Sequence, residues 1–459
     1  MTASLVITEE LAAVLHDWLQ DSREKAGVLL ARPIVARDGD LRLLVTEVVP
    51  VPDDAYDVRT RRELRISSGG YVPALRRAEA EGAMPLWLHS HVGDGARAQP
   101  SPLDDRVDEQ LRDVFRIRAG ADFYCSVVVA ATEGRLRFTG RLERGDELTP
   151  IDRLLVVGSR IRVVSSDDVV AEPLDPSFDR NIRAFGGAVQ RILGLLRVGI
   201  VGCGGTGSAV AEQLVRLGVR SFTLVDHDRL SASNVTRVYG STPADVGRPK
   251  VDVLADHIRA VAPDAAVTTI MSSTMVEDAA RALGGVDVIF GCTDDNAGRL
   301  VVSRLSTYFM VPVFDCGVLL SDTGGQIDGI FGRVTVLHPG AACLVCRGRI
   351  DLARAAAEAL TPTERQRRAD EGYAPALAGI EPAVVAYTTM VAAAAVNELL
   401  ERLVGYGVEP APNEVLLRVH DREMSTNIAV PRAGHYCDVA AGKLGRGITV
   451  PFLEQTWVA

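Results

Sequence analysis

The pattern of apolar and polar residues predicts an α/β unit at the start of the chain. Over residues 1–145, leucines recur at helical spacing and short apolar runs are bounded by polar residues. Two such runs flank Glu133-Gly134, which predicts a β-hairpin. The predicted helices are 7–19 and 71–81, and the predicted strands are 27–30, 41–51, 85–91, 122–131 and 135–142.

From residue 177 onwards, strands and helices alternate, which predicts a mostly parallel sheet with helices on both faces. The stretch 161–176 contains serines, aspartates and two prolines and is predicted to be a linker. We therefore expect one domain at 1–160 and a second at 177–459. The most apolar run, 384–400, is interrupted by polar residues, so we expect a core helix and no membrane span.

Composition narrows the class of protein. A net charge of −10 argues against nucleic acid as a partner, and 47% hydrophobic with 24% charged residues is typical of a soluble globular protein. The seven cysteines are an odd number, and no basic-plus-apolar signal segment begins the chain. These features predict a reducing, cytoplasmic location and no membrane partner.

A glycine-rich turn is the centre of the second unit. Gly202, Gly204 and Gly207 fit the pattern G-x-G-x-x-G between a predicted strand and a predicted helix. Such glycines let the backbone turn tightly and approach a phosphate, and the helix N-terminus offers free N–H groups. Asp226 ends the next predicted strand, where a carboxylate would meet a ribose hydroxyl. This motif predicts a nucleotide but leaves NAD, FAD and ATP open.

Charged residues downstream favour ATP. Arg237 and Lys250 could neutralise the negative charge that develops when ATP is broken at its α-phosphate, and Asp294 could hold Mg²⁺. A dehydrogenase has no need of these groups around its phosphates. An NAD- or FAD-dependent oxidoreductase therefore stays an alternative that leaves these three residues unexplained.

In this order the motifs resemble the ThiF/MoeB/ubiquitin-activating superfamily of adenylyltransferases, as does the segment 178–182 upstream of them. That family activates a C-terminal carboxylate, usually the Gly-Gly end of a ubiquitin-like protein, as an acyl-adenylate, and generally works as dimers. The resemblance implies catalytic roles for Arg180, Arg237, Lys250 and Asp294. It implies an ATP- and Mg²⁺-binding set of Gly202, Gly204, Gly205, Gly207, Asp226, Asp228, Asn234, Arg237, Lys250, Asp294 and Asn296.

A second group of residues predicts a metal site in the first unit. His89 and His91, two residues apart on a strand, would point to the same face and could bind one metal ion. Asp104 could be a third ligand, leaving a position open for water, and Glu24 could take a proton from that water. Taken singly, Ser101 and Asp104 would form a helix capping box and Glu24 would be a solvated charge.

Together these residues, E-x-x-G-x-L … H-x-H-x(9)-S-x-x-D, resemble the JAMM/MPN metalloproteases, which cleave isopeptide or peptide bonds after ubiquitin-like tails. By that resemblance the two histidines and Asp104 bind Zn²⁺, Glu24 is the general base and Ser101 stabilises the oxyanion. The chain departs from the family pattern at Val92, where a proline is usual, and in a longer gap before Ser101.

Cysteines suggest a further zinc site. Cys343 and Cys346 form a C-x-x-C pair, and His435 and Cys437 offer two more ligands. Adenylating enzymes of the family often carry a structural Zn²⁺ on two such pairs; the alternative is a zinc-free knuckle of packed side chains. Many members also use a crossover-loop cysteine to take the acyl group as a thioester. The corresponding stretch 351–382 has none, so we expect transfer to an external nucleophile such as a conjugating enzyme, a sulfur donor or an amine.

These resemblances imply a bifunctional, homodimeric enzyme of a bacterial ubiquitin-like pathway. One unit would process or deconjugate the tail of a ubiquitin-like or sulfur-carrier protein, and the other would adenylate it. A scaffold that binds such a partner with one or both sites inactive remains the non-enzymatic alternative.

Overall fold

The computed structural model describes residues 2–37, 39–93, 96–120, 122–145, 147–169, 173–323, 326–360 and 383–457. The chain forms two compact units, one of residues 1–172 with 445–447 and one of residues 173–444 with 448–459. No helix in the described ranges is long and apolar enough to cross a bilayer.

The elements of the first unit are β1 (Ala3–Thr8), α1 (Glu9–Trp18), β2 (Ala26–Val35), β3 (Leu41–Pro50), β4 (Tyr56–Arg59), β5 (Leu64–Ile66), α2 (Val72–Glu81), β6 (Met84–Ser90), α3 (Pro102–Ala119), β7 (Phe123–Thr132), β8 (Arg135–Arg144), β9 (Glu147–Val157) and β10 (Ile161–Ser165). Eight strands form one sheet in the order β1-β3-β2-β6-β7-β8-β9-β10, and β1 also pairs with β9. That extra pairing closes the first seven strands into a ring, while β4 and β5 pair separately.

Local chemistry explains where this unit agrees with the sequence pattern and where it differs. The hairpin of β7 and β8 is confirmed, and its turn residues Glu133 and Gly134 both have positive φ. The helix predicted from residue 7 begins later, because Thr8 Oγ1 caps it by accepting the Leu11 N–H at 3.3 Å, and Ile7 belongs to β1. The predicted linker 161–176 starts with β10, which pairs antiparallel with β9.

Helices cover both faces of the sheet and determine where the histidines lie. Helix α1 buries Leu15 and Trp18 in one apolar cluster, whereas α2 and α3 bury residues such as Phe115 in another. Trp87 of β6 belongs to the second cluster. Because side chains alternate along a strand, His89 lies on the same face as Trp87, under α2 and α3.

The elements of the second unit are α4 (Asp179–Leu195), β11 (Arg197–Val201), α5 (Gly205–Leu217), β12 (Ser221–Val225), α6 (Lys250–Val261), β13 (Ala266–Ile270), α7 (Glu277–Leu283), β14 (Val288–Gly291), α8 (Asn296–Tyr308), β15 (Val313–Thr323), β16 (Gln326–Leu337), α9 (Leu352–Glu358), α10 (Val385–Val404), β17 (Glu414–Arg418) and β18 (Glu423–Asn427). The strand order is β13-β12-β11-β14-β15-β16-β17-β18.

This second sheet is parallel from β13 to β15 and antiparallel from β15 to β18. The expectation of a mostly parallel sheet is therefore correct for one half only. Strands β15 and β16 are too close in sequence for the long crossover that a parallel pair needs, so they form a hairpin. The carboxyl ends of β11, β12, β14 and β15 meet at one edge, which is where ligands bind in open α/β sheets.

Candidate functional site

The glycine turn joins β11 to α5 in a conformation that other residues would disturb. Gly202 has a φ of +88°, and a Cβ built on it would lie 2.7 Å from the carbonyl oxygen of Cys292. A Cβ on Gly207 would lie 1.9 Å from the Gly202 oxygen. Gly204 is the N-cap of α5, so the first N–H groups of that helix are not covered by a side chain. The turn therefore leaves an open cradle of N–H groups suited to an anion.

Asp226 is fixed beside this turn by two backbone N–H groups. Its Oδ2 accepts from Cys203 at 2.7 Å and its Oδ1 from Asp228 at 2.8 Å. Each carboxylate oxygen has a second acceptor position, so Asp226 retains the capacity to accept ribose hydroxyls. This placement is the one expected from the motif.

A cavity of about 810 Å³ opens at the carboxyl ends of the strands. Nearly all of the predicted nucleotide-binding residues line it, namely Gly202, Gly204, Gly205, Asp226, Asp228, Asn234, Arg237, Lys250, Asp294 and Asn296. Gly207 is buried beneath the turn. Arg180 is exposed on α4 and is not among the lining residues, so the structure does not bring it together with Arg237 and Lys250.

Two cationic side chains, Lys250 and Arg237, line this cavity, and different neighbouring groups hold each of them. Lys250 Nζ lies 2.7 Å from Asp228 Oδ2. Burial raises the pKa of the Asp228 carboxyl, but the hydrogen bond and the charge of Lys250, together with the charge of His227, outweigh burial and the net shift is downward. Arg237 donates from Nη1 to the Ser233 carbonyl at 3.0 Å. Its side chain also lies against Gly205, where a Cβ would approach its Cγ and Cδ to 3.2 Å.

The residues Asp294, Asp295 and Asn296, which follow β14, have different contacts. Asp295 caps α8, accepting from the N–H of Gly298 and the hydroxyl of Thr293. Burial raises the pKa of Asp295. Asn296 Oδ1 accepts from the Asp351 N–H at 3.0 Å. Asp294 lines the cavity and makes no side-chain hydrogen bond or ion pair with the described residues, so its carboxylate is available for a cation.

Arginines that the sequence motifs do not predict also line this cavity, among them Arg299, Arg333 and Arg349. Asp315 binds Arg299 through Oδ1 at 2.9 Å and Oδ2 at 2.7 Å, and Oδ2 also lies 2.8 Å from Arg333. Glu414 binds Arg349 at 3.0 and 2.8 Å. Both carboxylates are buried, at 1% exposure. No local motif announces these pairs, because the partners belong to different strands and helices.

Cysteines around the cavity are poor nucleophiles. Burial raises the pKa of Cys203, and a hydrogen bond with Cys316 together with burial raises that of Cys292. A thiol with a raised pKa is little ionised, so Cys203 and Cys292 are poorly suited to accept the acyl group, which is compatible with the expected transfer to an external nucleophile. The crossover stretch on which that expectation also rests lies outside the described residues from 361 to 382.

In the first unit, the predicted metal ligands come together. The Nε2 atoms of His89 and His91 are 3.3 Å apart, and they lie 3.2 Å and 3.4 Å from the two carboxylate oxygens of Asp104. His91 lies just beyond the end of β6, and its Nδ1 faces the Arg97 carbonyl at 2.8 Å. Two imidazoles and one carboxylate form a donor set that fits Zn²⁺ with a position left open.

Asp104 also completes the helix cap that was the alternative interpretation. Its Oδ2 accepts the Ser101 N–H at 2.6 Å while Ser101 Oγ accepts the Asp104 N–H at 3.3 Å. Burial raises the pKa of Asp104, but hydrogen bonds from His89 and His91 hold it well below its usual range. The cap and the histidine contacts are therefore compatible.

Strand pairing places Glu24 near the histidines. Strands β2 and β6 are antiparallel with Ala26 opposite His89, and Lys25 and Ser90 exchange hydrogen bonds beyond them. Continuing this register puts Glu24 opposite His91. Glu24 is buried, and burial raises its pKa while the charges of His91 and His89 oppose the shift. A carboxylate so placed is suited to accept a proton.

The four residues of the predicted second zinc site, which we call the knuckle, also lie close together in the second unit, although they come from distant parts of the chain. Ligand atoms of Cys343, Cys346, His435 and Cys437 all lie within 4.8 Å of one another. Cys343 Sγ and Cys437 Sγ are 3.4 Å and 3.3 Å from His435 Nδ1, and Cys346 Sγ is 3.6 Å from Cys437 Sγ. Three thiols and one imidazole fit a closed, structural zinc site.

Known proteins resemble part of the chain. The chain is 28% identical over 163 residues to ubiquitin-like modifier-activating enzyme 5 of Oryza sativa subsp. japonica, covering 32% of this chain and 37% of that protein. It is 31% identical over 173 residues to the molybdopterin-synthase adenylyltransferase of Escherichia coli (strain K12), covering 37% of this chain and 65% of that protein. The matched segments thus span less than two thirds of these relatives.

Among solved structures, E. coli MccB with ATP aligns with a TM-score of 0.44 and 16% identity, covering 58% of this chain and 75% of that one. The model of the ThiF family matches residues 178–439, which is more than half of the chain. The chain therefore belongs to the ThiF family.

Proposed function

We propose that the second unit uses ATP and Mg²⁺ to adenylate the C-terminal carboxylate of a ubiquitin-like or sulfur-carrier protein. The observation that carries this proposal is one cavity lined by the glycine turn, the Asp226 carboxylate, the cations Arg237 and Lys250, and Asp294, which has no side-chain partner among the residues described. The names of the rice and E. coli relatives, a modifier-activating enzyme and an adenylyltransferase, support the same reaction class.

In this reaction the carboxylate attacks the α-phosphorus of ATP, a P–O bond forms, and the bond to pyrophosphate breaks. Asp226 would orient the ribose and the N–H groups of α5 would hold phosphate oxygens. Arg237 and Lys250 would stabilise charge on the phosphoryl group and on pyrophosphate, each contributing on the order of a hundredfold in rate. Asp294 would hold Mg²⁺, which supplies further charge neutralisation when bound.

Two other functions are alternatives to this proposal. An NAD- or FAD-dependent oxidoreductase would share the glycine turn but has no use for Arg237, Lys250 and Asp294 around its phosphates. A non-catalytic scaffold would bind a protein tail without forming AMP. Neither accounts for cations and a free carboxylate facing the same cavity as the glycine turn.

The test is ATP–pyrophosphate exchange with a small-protein fraction of the source cell as carboxylate donor. We expect exchange by the wild type that depends on this fraction and is lost in Asp294→Ala. Asp264→Ala, which removes an exposed carboxylate paired with Arg220, is the matched control and should retain exchange. Nucleotide binding without exchange would reject the proposal in favour of the scaffold, and tight NAD(H) binding without response to ATP would favour the oxidoreductase.

We further propose that the first unit is a zinc-dependent peptidase of the JAMM type. The supporting observation is the group formed by His89, His91 and Asp104 with Glu24 opposite His91. A zinc ion held by these three ligands would supply Lewis-acid activation of water. Glu24 would accept the proton of that water, and Ser101 would donate a hydrogen bond to the oxyanion.

The peptidase proposal is tested with a fluorogenic peptide carrying an amide bond after Gly-Gly. Glu24→Gln should retain bound zinc and lose cleavage by on the order of a hundredfold or more, since it removes the general base. Glu10→Gln, on the exposed face of α1, is the control. Loss of zinc from Glu24→Gln would instead make Glu24 a ligand or a structural residue.

The remaining expectations also stand as proposals. We propose a structural Zn²⁺ on the cysteine–histidine knuckle, a homodimer formed by the adenylation domain, and action of both domains on one tail in the cytoplasm. The proposed boundary between the domains lies in the 161–176 region, after β10. Light scattering of the purified chain tests the dimer, and a monomeric mass would reject it.

A further inference from the structure

One cluster in and behind the wall of the adenylation cavity holds more arginines than carboxylates. Four guanidinium groups, those of Arg299, Arg333, Arg347 and Arg349, surround only two carboxylates, Asp315 and Glu414. Of the other arginines that line the cavity, Arg354 pairs with Glu358 and Arg418 with Asp421 and Glu423, while Arg237 lies at the glycine turn. Among the described residues this cluster, which we call the arginine wall, therefore has two more arginines than carboxylates.

Three of the four guanidinium groups of the arginine wall line the cavity, whereas Arg347 and the two carboxylates do not. The Asp315 and Glu414 side chains are 1% exposed, whereas those of Arg299, Arg333 and Arg349 are 12%, 18% and 33% exposed and line the cavity. A ligand entering this part of the cavity therefore meets guanidinium groups first.

Two of these arginines, Arg333 and Arg349, have N–H groups that donate no hydrogen bond to the described residues. All three donor nitrogens of Arg299 are used, on Asp315 and on the Arg349 carbonyl. Arg333 makes one hydrogen bond, from Nη2 to Asp315, and its buried Nε has no partner among the described residues. Arg349 binds Glu414 through Nε and Nη2, and its Nη1 makes no hydrogen bond within the described part of the chain. Unpaired guanidinium N–H groups in a half-buried wall favour an anionic ligand.

The triphosphate of ATP is not the natural partner of this wall. The glycine turn follows β11, and Arg333 lies on β16, which is three strands away in the sheet order. At a spacing of about 4.8 Å between strands this separation is about 14 Å. The phosphates already have the α5 N-terminus, Arg237 and Lys250 around them.

We propose that the arginine wall selects an acidic side chain near the C-terminus of the substrate tail. This inference rests on the proposed adenylation function. From β14, where the activated carboxyl group would lie, to β16 is about 10 Å, and an extended chain covers about 3.3 Å per residue. The acidic residue is therefore the third or fourth from the C-terminus. The apolar neighbours Phe331, Leu416 and Leu417 in the same wall would contact the flanking residues.

Two fluorescent peptides ending in Gly-Gly test the proposal by anisotropy in the presence of a non-hydrolysable ATP analogue. One carries glutamate and the other glutamine at the third and fourth positions from the carboxyl end. The wild type should bind the glutamate peptide at least tenfold more tightly, with an advantage that falls as salt rises. Arg333→Gln should reduce this preference to less than threefold and leave ATP affinity unchanged.

The variants are chosen so that each buried carboxylate keeps a cation. Without Arg333, Asp315 retains both contacts with Arg299, and without Arg349, Glu414 retains Arg347. Arg349→Gln is therefore the second variant, used if Arg333→Gln does not fold. The control is Arg216→Gln on the outer face of α5, which should keep the full preference.

Equal affinity for the two peptides, or no binding of either, would overturn the proposal. So would an Arg333→Gln variant that weakens ATP and both peptides by the same factor, since the wall would then serve the phosphates. Preference for the glutamate peptide without any pyrophosphate exchange would support the wall and reject the adenylation function, so the two failures are distinguishable.

Discussion

Replacing Gly207 by alanine tests whether the glycine turn needs a residue without a side chain at this position. Alanine normally stabilises a helix, so a loss of stability here would come from the turn. The added Cβ would lie 1.9 Å from the Gly202 carbonyl oxygen and 3.2 Å from Ile200 Cγ2. Ordinary contact distances are about 3.5 Å, so helix α5 and the turn must move apart by roughly 1.5 Å. The obstacle is backbone, which cannot rotate away as a side chain could.

Two effects of this substitution on the free energy of unfolding have opposite signs: the steric clash destabilises the protein and the helix propensity of alanine stabilises it. We expect the clash to be the larger effect. Overpacking that forces the backbone to shift costs about 1–3 kcal/mol. Alanine in a helix gains at most about 1 kcal/mol over glycine. We therefore expect a net loss of about 1–2 kcal/mol in the free energy of unfolding. Since the displaced N–H groups would hold phosphate, we also expect ATP affinity to fall at least tenfold.

Urea unfolding and equilibrium binding of a fluorescent ATP analogue measure the two effects. Gly204→Ala is the matched control for stability, because a Cβ there meets nothing within 4 Å and its φ is −78°. Its midpoint should stay close to that of the wild type. A Gly207→Ala variant with wild-type stability and wild-type ATP affinity would refute the reasoning.

Three further results are expected. Asp315→Asn should lower the unfolding free energy by about 3–5 kcal/mol in urea titrations, because it leaves two guanidinium groups without their buried partner; a loss below about 1 kcal/mol would contradict this. Burial raises the pKa of Glu414, but hydrogen bonds from Arg349 and Asn427 bring it to about 2 from 4.5. Its stabilising contribution should therefore be present above pH 4.5 and disappear as the pH falls towards 2, and Glu414→Gln should flatten that part of the stability profile. Elemental analysis should find two zinc ions per chain, with one lost in Cys346→Ser; an unchanged zinc content would exclude the knuckle as a site.

Sequence patterns were sufficient where structure is local. Strand β11, the glycine turn and helix α5 follow each other within 21 residues, from Arg197 to Leu217, and each carries its own signal. The same holds for the hairpin at Glu133-Gly134. The C-cap of α5 at Gly218, with positive φ, ends the helix directly after the apolar run 209–217.

Patterns failed where a residue's role depends on a distant partner. Asp315 and Arg333 are charged residues within strands, and charged side chains are mostly exposed, yet Asp315 is buried against Arg299 and Arg333. The antiparallel half of the second sheet depends on pairing of β16 with β17, whose residues are about 80 positions apart. Asp108, one turn after Asp104 on α3, is buried and accepts from Tyr124 and Ser126 at 2.8 Å; nothing local predicts those contacts.

The knuckle has a consequence for chain entropy. A metal ion held by Cys346 and Cys437 would close a loop of 91 residues (437 minus 346) that contains α10, β17 and β18. A cross-link over a loop of that length restricts the unfolded chain by about 4–5 kcal/mol on the loop-closure model. Arg349 of the arginine wall follows Cys346, one end of this loop, by only three positions. Removing the metal would therefore lengthen the free chain that must be ordered before the tail-binding wall can form, and hydrogen exchange in β17 would report that change.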